Sequence, residues 1–308
     1  MYYVGSGPYC YANSLAMILG KRAPDPSAIE VLTGAPFGVL LLDGTLPFFS
    51  PGGWNPSIGL DAALDSLGWA CDRAAGGDAE GAIDRLRVAT QEAPVLVGPV
   101  DLGLLLHHPG SGRAIGADHY VVALAVEEAA VRFHDPHGYP YATLPIVHFV
   151  RAWKADSVGY GNAAYAMRLN FRQIRNVTLE AALRASIPRT MHWLVNEHGG
   201  GSLVGESALT TLADQIEGGL EPRELEHLVQ FAVRVGVRRL ADAARWLAAI
   251  GLIRPSQIAD NQAQLLGRVQ YDLVAGDNQA AAAAIRILAP CYGDLRDALG
   301  ALNTSPAA

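Results

Sequence analysis

The chain has 308 residues, 50% of them hydrophobic and 17% charged, which supplies a folded core, excludes a mainly disordered chain and leaves room for two domains of ordinary size. With 23 Lys+Arg against 30 Asp+Glu the formal charge is −7, the wrong sign for neutralising a phosphate backbone, so no nucleic-acid partner is expected. The apolar run from Ala93 to Leu106 is broken by Pro94, Pro99 and Asp101 and is too short for a bilayer span, and the N-terminus lacks the pattern of a secretory signal, so we expect no membrane partner and a cytoplasmic protein.

Taken in chain order, Tyr11 to Leu19 carries Ala12, Leu15, Ala16, Ile18 and Leu19 at helical spacing, and Gly20 stands where a left-handed cap would end that helix. Leu60–Leu67 and Ala79–Gln91 repeat the helical pattern. Pro94–Val100, Tyr120–Val126 and Val131–His134 are apolar, β-branched runs of strand length, and Met167, Leu169 and Phe171 alternate with polar neighbours as in a half-exposed strand. Beyond about Gln173 the pattern is helical, over Leu179–Val195, Glu206–Ile216, Pro222–Ile250, Pro255–Val274 and Asn278–Leu288. This predicts an α+β domain over residues 1–172 and a helical domain over 173–308. Gly199 to Gly205 lacks the Lys-Ser/Thr ending of a phosphate loop and reads as a flexible connection.

Three cysteines, Cys10, Cys71 and Cys291, lie scattered with no Cys-x-x-Cys pair, which argues against a disulfide framework or a structural zinc site and leaves reactivity as the reason a cysteine would matter. Cys10 stands at a helix start, where unpaired N–H groups and the helix dipole are expected to lower a thiol pKa. His119 opens one strand and Asp135 closes the next, and both are equally far from Glu127, so a turn there sets them opposite one another with Cβ atoms ~5 Å apart. A carboxylate at that distance fixes the imidazole tautomer and leaves the other ring nitrogen for the thiol. Nucleophile, base and orienting acid are thus expected in the order Cys10, His119, Asp135.

The segments Gly-Pro-Tyr-Cys-Tyr-Ala-Asn-Ser at 7–14, Gly-Ala-Asp-His-Tyr-Val-Val at 116–122 and Val-Arg-Phe-His-Asp-Pro-His-Gly at 131–138 resemble those of the papain-like cysteine enzymes, including the bacteriocin-processing peptidases of ABC exporters. Residues 94–172, with Pro-Val-Leu-Val-Gly-Pro-Val-Asp-Leu at 94–102, are similar to the N-terminal domain of the butirosin biosynthesis protein H family. The resemblance implies a papain-like fold with an antiparallel sheet and a cysteine acyltransferase of bacterial secondary metabolism such as antibiotic biosynthesis. An acyl group would pass from the thioester of an acyl carrier protein, or of coenzyme A, through Cys10 to an amine of a small-molecule acceptor. Papain-like peptidases place a Gln oxyanion donor about six residues before the cysteine; here that position is Val4, and Ser6, Tyr9 and Asn13 are the candidate donors beside the Cys10 amide.

A cysteine hydrolase, thioesterase or peptidase, with the same triad is the alternative, and a non-catalytic binding module is another. With Cys10 close to Met1 we expect no upstream pro-segment of the kind that restrains a protease, and so expect transfer rather than proteolysis. Asp101 ends a strand, where it either touches substrate or makes a turn. His107 and His108 precede Pro109-Gly110, and His134 and His137 flank Asp135-Pro136, yet no helix offers His at i, i+4, so neither a metal nor another cofactor is expected. Arg234, Arg238, Arg239 and Arg245 read as a solvated helix face on which an acidic carrier protein can dock.

Overall fold

The computed structural model describes residues 8–160, 163–195 and 201–301. The chain is α+β. Its first part runs α1 (Cys10–Leu19), α2 (Pro26–Thr33), β1 (Leu40–Leu42), β2 (Leu46–Phe48), α3 (Pro56–Ser66), β3 (Trp69–Ala74), α4 (Ala79–Glu92), β4 (Val95–Asp101), β5 (Asp118–Val126), β6 (Ala130–Asp135), β7 (Tyr139–Pro145), α5 (Ile146–Lys154) and β8 (Met167–Gln173). Then follow α6 (Leu179–Val195), β9 (Leu203–Val204), α7 (Gly205–Gly218), α8 (Pro222–His227), a π-helical turn over Leu228–Ala232, α9 (Val233–Ala249), α10 (Ile253–Ala275), α11 (Asn278–Leu288) and α12 (Cys291–Gly300). Among the described residues no helix is long and apolar enough to cross a membrane.

Two compact units form. One combines the stretch ending at Pro26 with Gly68–Asn176, and the other combines Ser27–Leu67 with everything from Val177 on. One division falls at 176–177, where a boundary near residue 172 was expected, while residues 27–67, expected within the first unit, group with the second. Residues 27–67 group instead with the later helices, among which several of their apolar side chains are buried. Val39, Leu41 and Phe49 are buried in one cluster with Leu209 and Leu212 of α7, Leu266 and Val269 of α10 and Ile285 of α11, and β1 pairs antiparallel with both β2 and β9. Part of the segment expected to be a flexible glycine connection is therefore a short strand, in which Leu203 lies opposite Leu41.

In the first unit six strands pair antiparallel throughout, in the order β3-β8-β4-β5-β6-β7. Strand β4 is buried along its whole length, as a central strand with cover on both faces must be. Val97, Val121 and Phe133 pack with Ile83 and Leu86 of α4 and with Phe149 and Trp153 of α5. Helix α1 follows the start of β5: Ser14 Oγ donates to the Tyr120 carbonyl at 3.1 Å, and the Tyr11 and Tyr120 rings meet edge to face at 6.1 Å. It ends, as its sequence predicts, at Gly20 with φ 60°, a left-handed conformation that a side chain opposes.

The second unit is built on α9. Its stretch was expected to continue unbroken from Pro222, but the π-helical turn divides it, and His227 at the end of α8 and Phe231 within the π-helical turn close on the Phe48 ring. Arg239 is not on a solvated face. It is 8% exposed, donates to Glu30 Oε1 at 2.8 Å and to the Phe49 carbonyl at 2.9 Å, and lies over the Trp54 ring, while Arg238 pairs with Asp242. Both Glu30 and Phe49 belong to the segment 27–67, so this buried ion pair fixes that segment on α9. Removing one partner strands the other charge away from water. Glu30→Ala is expected to destabilise the second unit by about 3–5 kcal/mol in urea unfolding followed by tryptophan fluorescence, and the double variant Glu30→Leu/Arg239→Met to recover most of that loss. A single variant as stable as the parent would dismiss the pair as an anchor.

Candidate functional site

Cys10 is the first residue of α1, where its own amide has no intrahelical acceptor. The preceding turn is held by two features. Tyr9 adopts φ 74°, and the Asn13 side-chain amide donates to the carbonyls of Pro8 and Tyr9, both at 3.0 Å. Asn13, expected as an oxyanion donor, spends its donors on the backbone and positions the cysteine instead. Tyr9 is buried at 6% exposure. Ser6, and with it Val4, lies outside the described residues.

The residue Cys10 is half-buried, and its enclosed thiol receives the backbone N–H of Tyr120, the neighbour of His119 on β5. Burial pushes the thiol pKa well up, and the Asp118 and Asp135 carboxylates add to the rise, against the N–H groups of Tyr120 and Tyr11. The helix start was expected to lower it. Desolvation and two carboxylates outweigh a helix N-terminus, whose effect fades within its first turn. The thiol is therefore held in its protonated form.

His119 meets Asp135 as expected but by a different register. The β5–β6 turn closes through Glu127 N–H to the Ala130 carbonyl at 2.8 Å, and the ladder sets Val122 against His134 after an irregularity between Ala123 and Ala125. One step further along, Asp135 falls opposite Val121, on the side of the pleat that His119 shares by the period of two. The His119–Asp135 contact is thus a diagonal one, at 2.8 Å between Nε2 and Oδ1, rather than the direct pair that a turn centred on Glu127 would give.

Asp135 does more than orient one ring. It is fully buried and accepts from Nε2 of His107 at 2.8 Å and of His108 at 2.7 Å on Oδ2, and from the His137 amide at 2.8 Å on Oδ1. Burial acts to raise its pKa, but the His119 charge interaction and the hydrogen bonds from His107, His108 and His119 hold the carboxyl far below the usual range. An ionised carboxylate only accepts, so each of these imidazoles presents Nε2–H to it, which leaves Nδ1 as the His119 nitrogen turned away from the carboxylate. His134 is excluded from this cluster. Its Nδ1 accepts the Tyr141 amide at 3.1 Å and burial lowers its pKa, keeping the ring neutral.

Asp101 makes the turn that was one of its two expected roles. Fully buried, it accepts from the amides of Gly103 at 2.8 Å, Ile115 at 3.2 Å and Gly116 at 3.0 Å, and from Ser157 Oγ. It thereby closes the base of the loop that carries His107 and His108 to Asp135. Gly103 is required there, because a Cβ would meet the Arg113 carbonyl at 2.3 Å. On the thiol's other flank Tyr160 donates to Asp118 at 3.1 Å and meets the Tyr120 hydroxyl at 3.1 Å. Sequence reasoning left Asp118, Ser157 and Tyr160 unremarked. The only signals were the position of Asp118 beside His119 and the polar character of 156–160 in an apolar surrounding.

Cys71 and Cys291 stand apart from this cluster. Arg168 approaches Cys71 Sγ at 3.9 Å between β8 and β3, and Cys291 is buried in the helical unit, where its thiol meets the Ile287 carbonyl at 3.4 Å.

Residues 199–300 match the family model described as the YobF C-terminal domain, a stretch that spans β9 to α12. Over 251 residues the chain is 27% identical to the protein of Bacillus subtilis (strain 168) named "Uncharacterized protein YobF", a match that covers 79% of this chain and 80% of that one.

The environment of the thiol predicts its reactivity. Alkylation of Cys10 by iodoacetamide, followed by peptide mass spectrometry, is expected to be slow at about pH 7 and to rise with a midpoint above that of an ordinary thiol. Asp118→Asn removes one of the two carboxylates that favour the protonated form, so its midpoint should move down and alkylation at neutral pH should accelerate. An unmoved midpoint would show that Asp118 does not reach the thiol.

Proposed function

We propose that the chain is a papain-like cysteine acyltransferase that takes an acyl group from a carrier-protein or coenzyme A thioester and delivers it to an amine of a small molecule. One observation carries this reading: Cys10 begins a helix whose first turn is bonded to β5 at Tyr120, and the adjacent His119 is fixed by Asp135 in the tautomer that turns a basic nitrogen away from the carboxylate.

His119 Nδ1 takes the thiol proton as Cys10 Sγ attacks the thioester carbonyl. The oxyanion of the tetrahedral adduct faces the Cys10 amide at the start of α1, a donor supported by the helix N-terminus. Collapse expels the donor thiolate, which receives the proton from the imidazolium, and leaves an acyl-Cys10 thioester. The acceptor amine then attacks, His119 removes its proton, and the Cys10 thiol departs with that proton as the amide forms. The neutral resting thiol fits this sequence, since the base is needed in the first step. A thioester also asks less oxyanion stabilisation than an amide, in keeping with Val4 where peptidases carry Gln.

Intact-protein mass spectrometry after incubation with a panel of acyl thioesters tests the reading. The parent should gain one acyl mass on Cys10 and lose it to an added amine. Cys10→Ala should gain none, Cys71→Ala and Cys291→Ala should behave as the parent, and His119→Ala should acylate at least a hundredfold more slowly. Asp135→Asn should fall between, because its single oxygen can still accept from His119 while its NH2 group opposes the N–H of His107 or His108. Acylation that persists in Cys10→Ala would dismiss the proposal, and release of the acyl group to water in preference to every amine would replace transfer by hydrolysis.

A further inference from the structure

The four-donor arrangement around Asp135 exceeds what a catalytic triad requires. A triad needs one imidazole on the carboxylate, yet His108, His119 and His137 converge with Asp135 so that one ligand atom from each lies within 4.8 Å of all the others. The ring centroids of His108 and His119 are 6.0 Å apart, those of His108 and His137 5.7 Å, and those of His119 and His137 4.4 Å. Three imidazoles bound to one tetrahedral metal at about 2.0–2.1 Å place their centroids roughly 5 Å apart, in the middle of that spread. The histidines arrive from separate elements, His108 from the loop based on Asp101, His119 from β5 and His137 from the turn after β6. The cluster therefore owes nothing to the i, i+4 helical spacing by which such sites are found in sequence.

We infer that His108, His119, His137 and Asp135 form a binding site for Zn2+, and that its occupation switches off acyl transfer; the second half of this inference rests on the function proposed above. Three imidazoles and a carboxylate are a donor set suited to Zn2+ and too rich in nitrogen for Mg2+ or Ca2+. Support for the ligands is already present, since His107 Nε2 and the His137 amide hydrogen-bond the Asp135 oxygens and orient the carboxylate from outside the ligand set. The switch follows from the tautomer of His119. If its Nδ1 ligates the metal, the lone pair that would take the thiol proton is occupied. If its Nε2 ligates, the ring proton moves to Nδ1 and the same lone pair is lost. In either case Cys10 keeps its proton.

The test uses the full chain stripped with a chelator. Co2+ added as a spectroscopic probe should give the intense visible bands of tetrahedral coordination at one equivalent, and Zn2+ should displace it. His137→Ala and His108→Ala should each weaken binding by at least tenfold, with His192→Ala as the control that does not. X-ray absorption of the Zn2+-loaded parent should show imidazole scattering, and this arm needs no variant to fold. The absence of saturable binding below about 0.1 mM, or unchanged affinity in His137→Ala, would overturn the site. Thioester acylation of Cys10 in chelator and with one equivalent of Zn2+ supplies the second readout: suppression of at least tenfold in the parent, relieved in His137→Ala, is expected. Acylation unaffected by bound Zn2+ would overturn the switch. A Co2+ spectrum without acylation under either condition would instead dismiss the proposed transferase and leave the metal site standing.

Discussion

A single buried carboxylate, Asp135, sets the constraint to which the first unit is built. A charge without access to water is tolerated only when its oxygens are satisfied, and here three imidazoles and one amide do so. To bring two of those rings in, the chain between β4 and β5 must fold back on itself. That requirement explains the second buried carboxylate, since Asp101 gathers the amides of Gly103, Ile115 and Gly116 at the loop's base. Two acids at the ends of β4 and β6, the strands on either side of β5, thus serve different ends, one tying mainly backbone and the other mainly side chains.

The reactivity of Cys10 is a contest between local and surrounding electrostatics. A helix start favours a thiolate, and the same position in a solvent-exposed helix would lower the pKa. In this fold the helix start is pressed onto β5, next to Asp118 and within the field of Asp135, and burial dominates. The consequence is a thiol held in its protonated form, which in the proposed reaction needs His119 to take its proton.

The helical unit shows the same principle in a structural role. Glu30 and Arg239 are distant in sequence and fully or nearly buried together, and the Phe49 carbonyl and Trp54 ring complete the cover of the guanidinium. Nothing in the local pattern of α9 distinguishes Arg239 from the exposed Arg234 and Arg245 on the same helix. Its partner lies in a segment that the chain inserts between the parts of the first unit, so the pairing exists only after that segment has docked.

Much of the architecture follows from local sequence. The helices over Leu179–Val195 and Asn278–Leu288 have the bounds that apolar periodicity predicts, and the strands around Val97, Val122 and Phe133 lie where β-branched runs place them, because these patterns reflect one face turned to a core. Short elements such as β1, β2 and β9 carry too few residues for a period to register. The positions of Cys10 at a helix start and of His119 and Asp135 at strand ends were legible in the sequence, as was the meeting of the last two. What only tertiary structure decided is the company they keep: the offset register that makes the His119–Asp135 contact diagonal, the return of His107 and His108 to the same carboxylate, the transfer of residues 27–67 to the helical unit, and the protonated state of the thiol. Each depends on desolvation and on contacts between residues far apart in the chain, and neither quantity is encoded in the periodicity or spacing of any one segment.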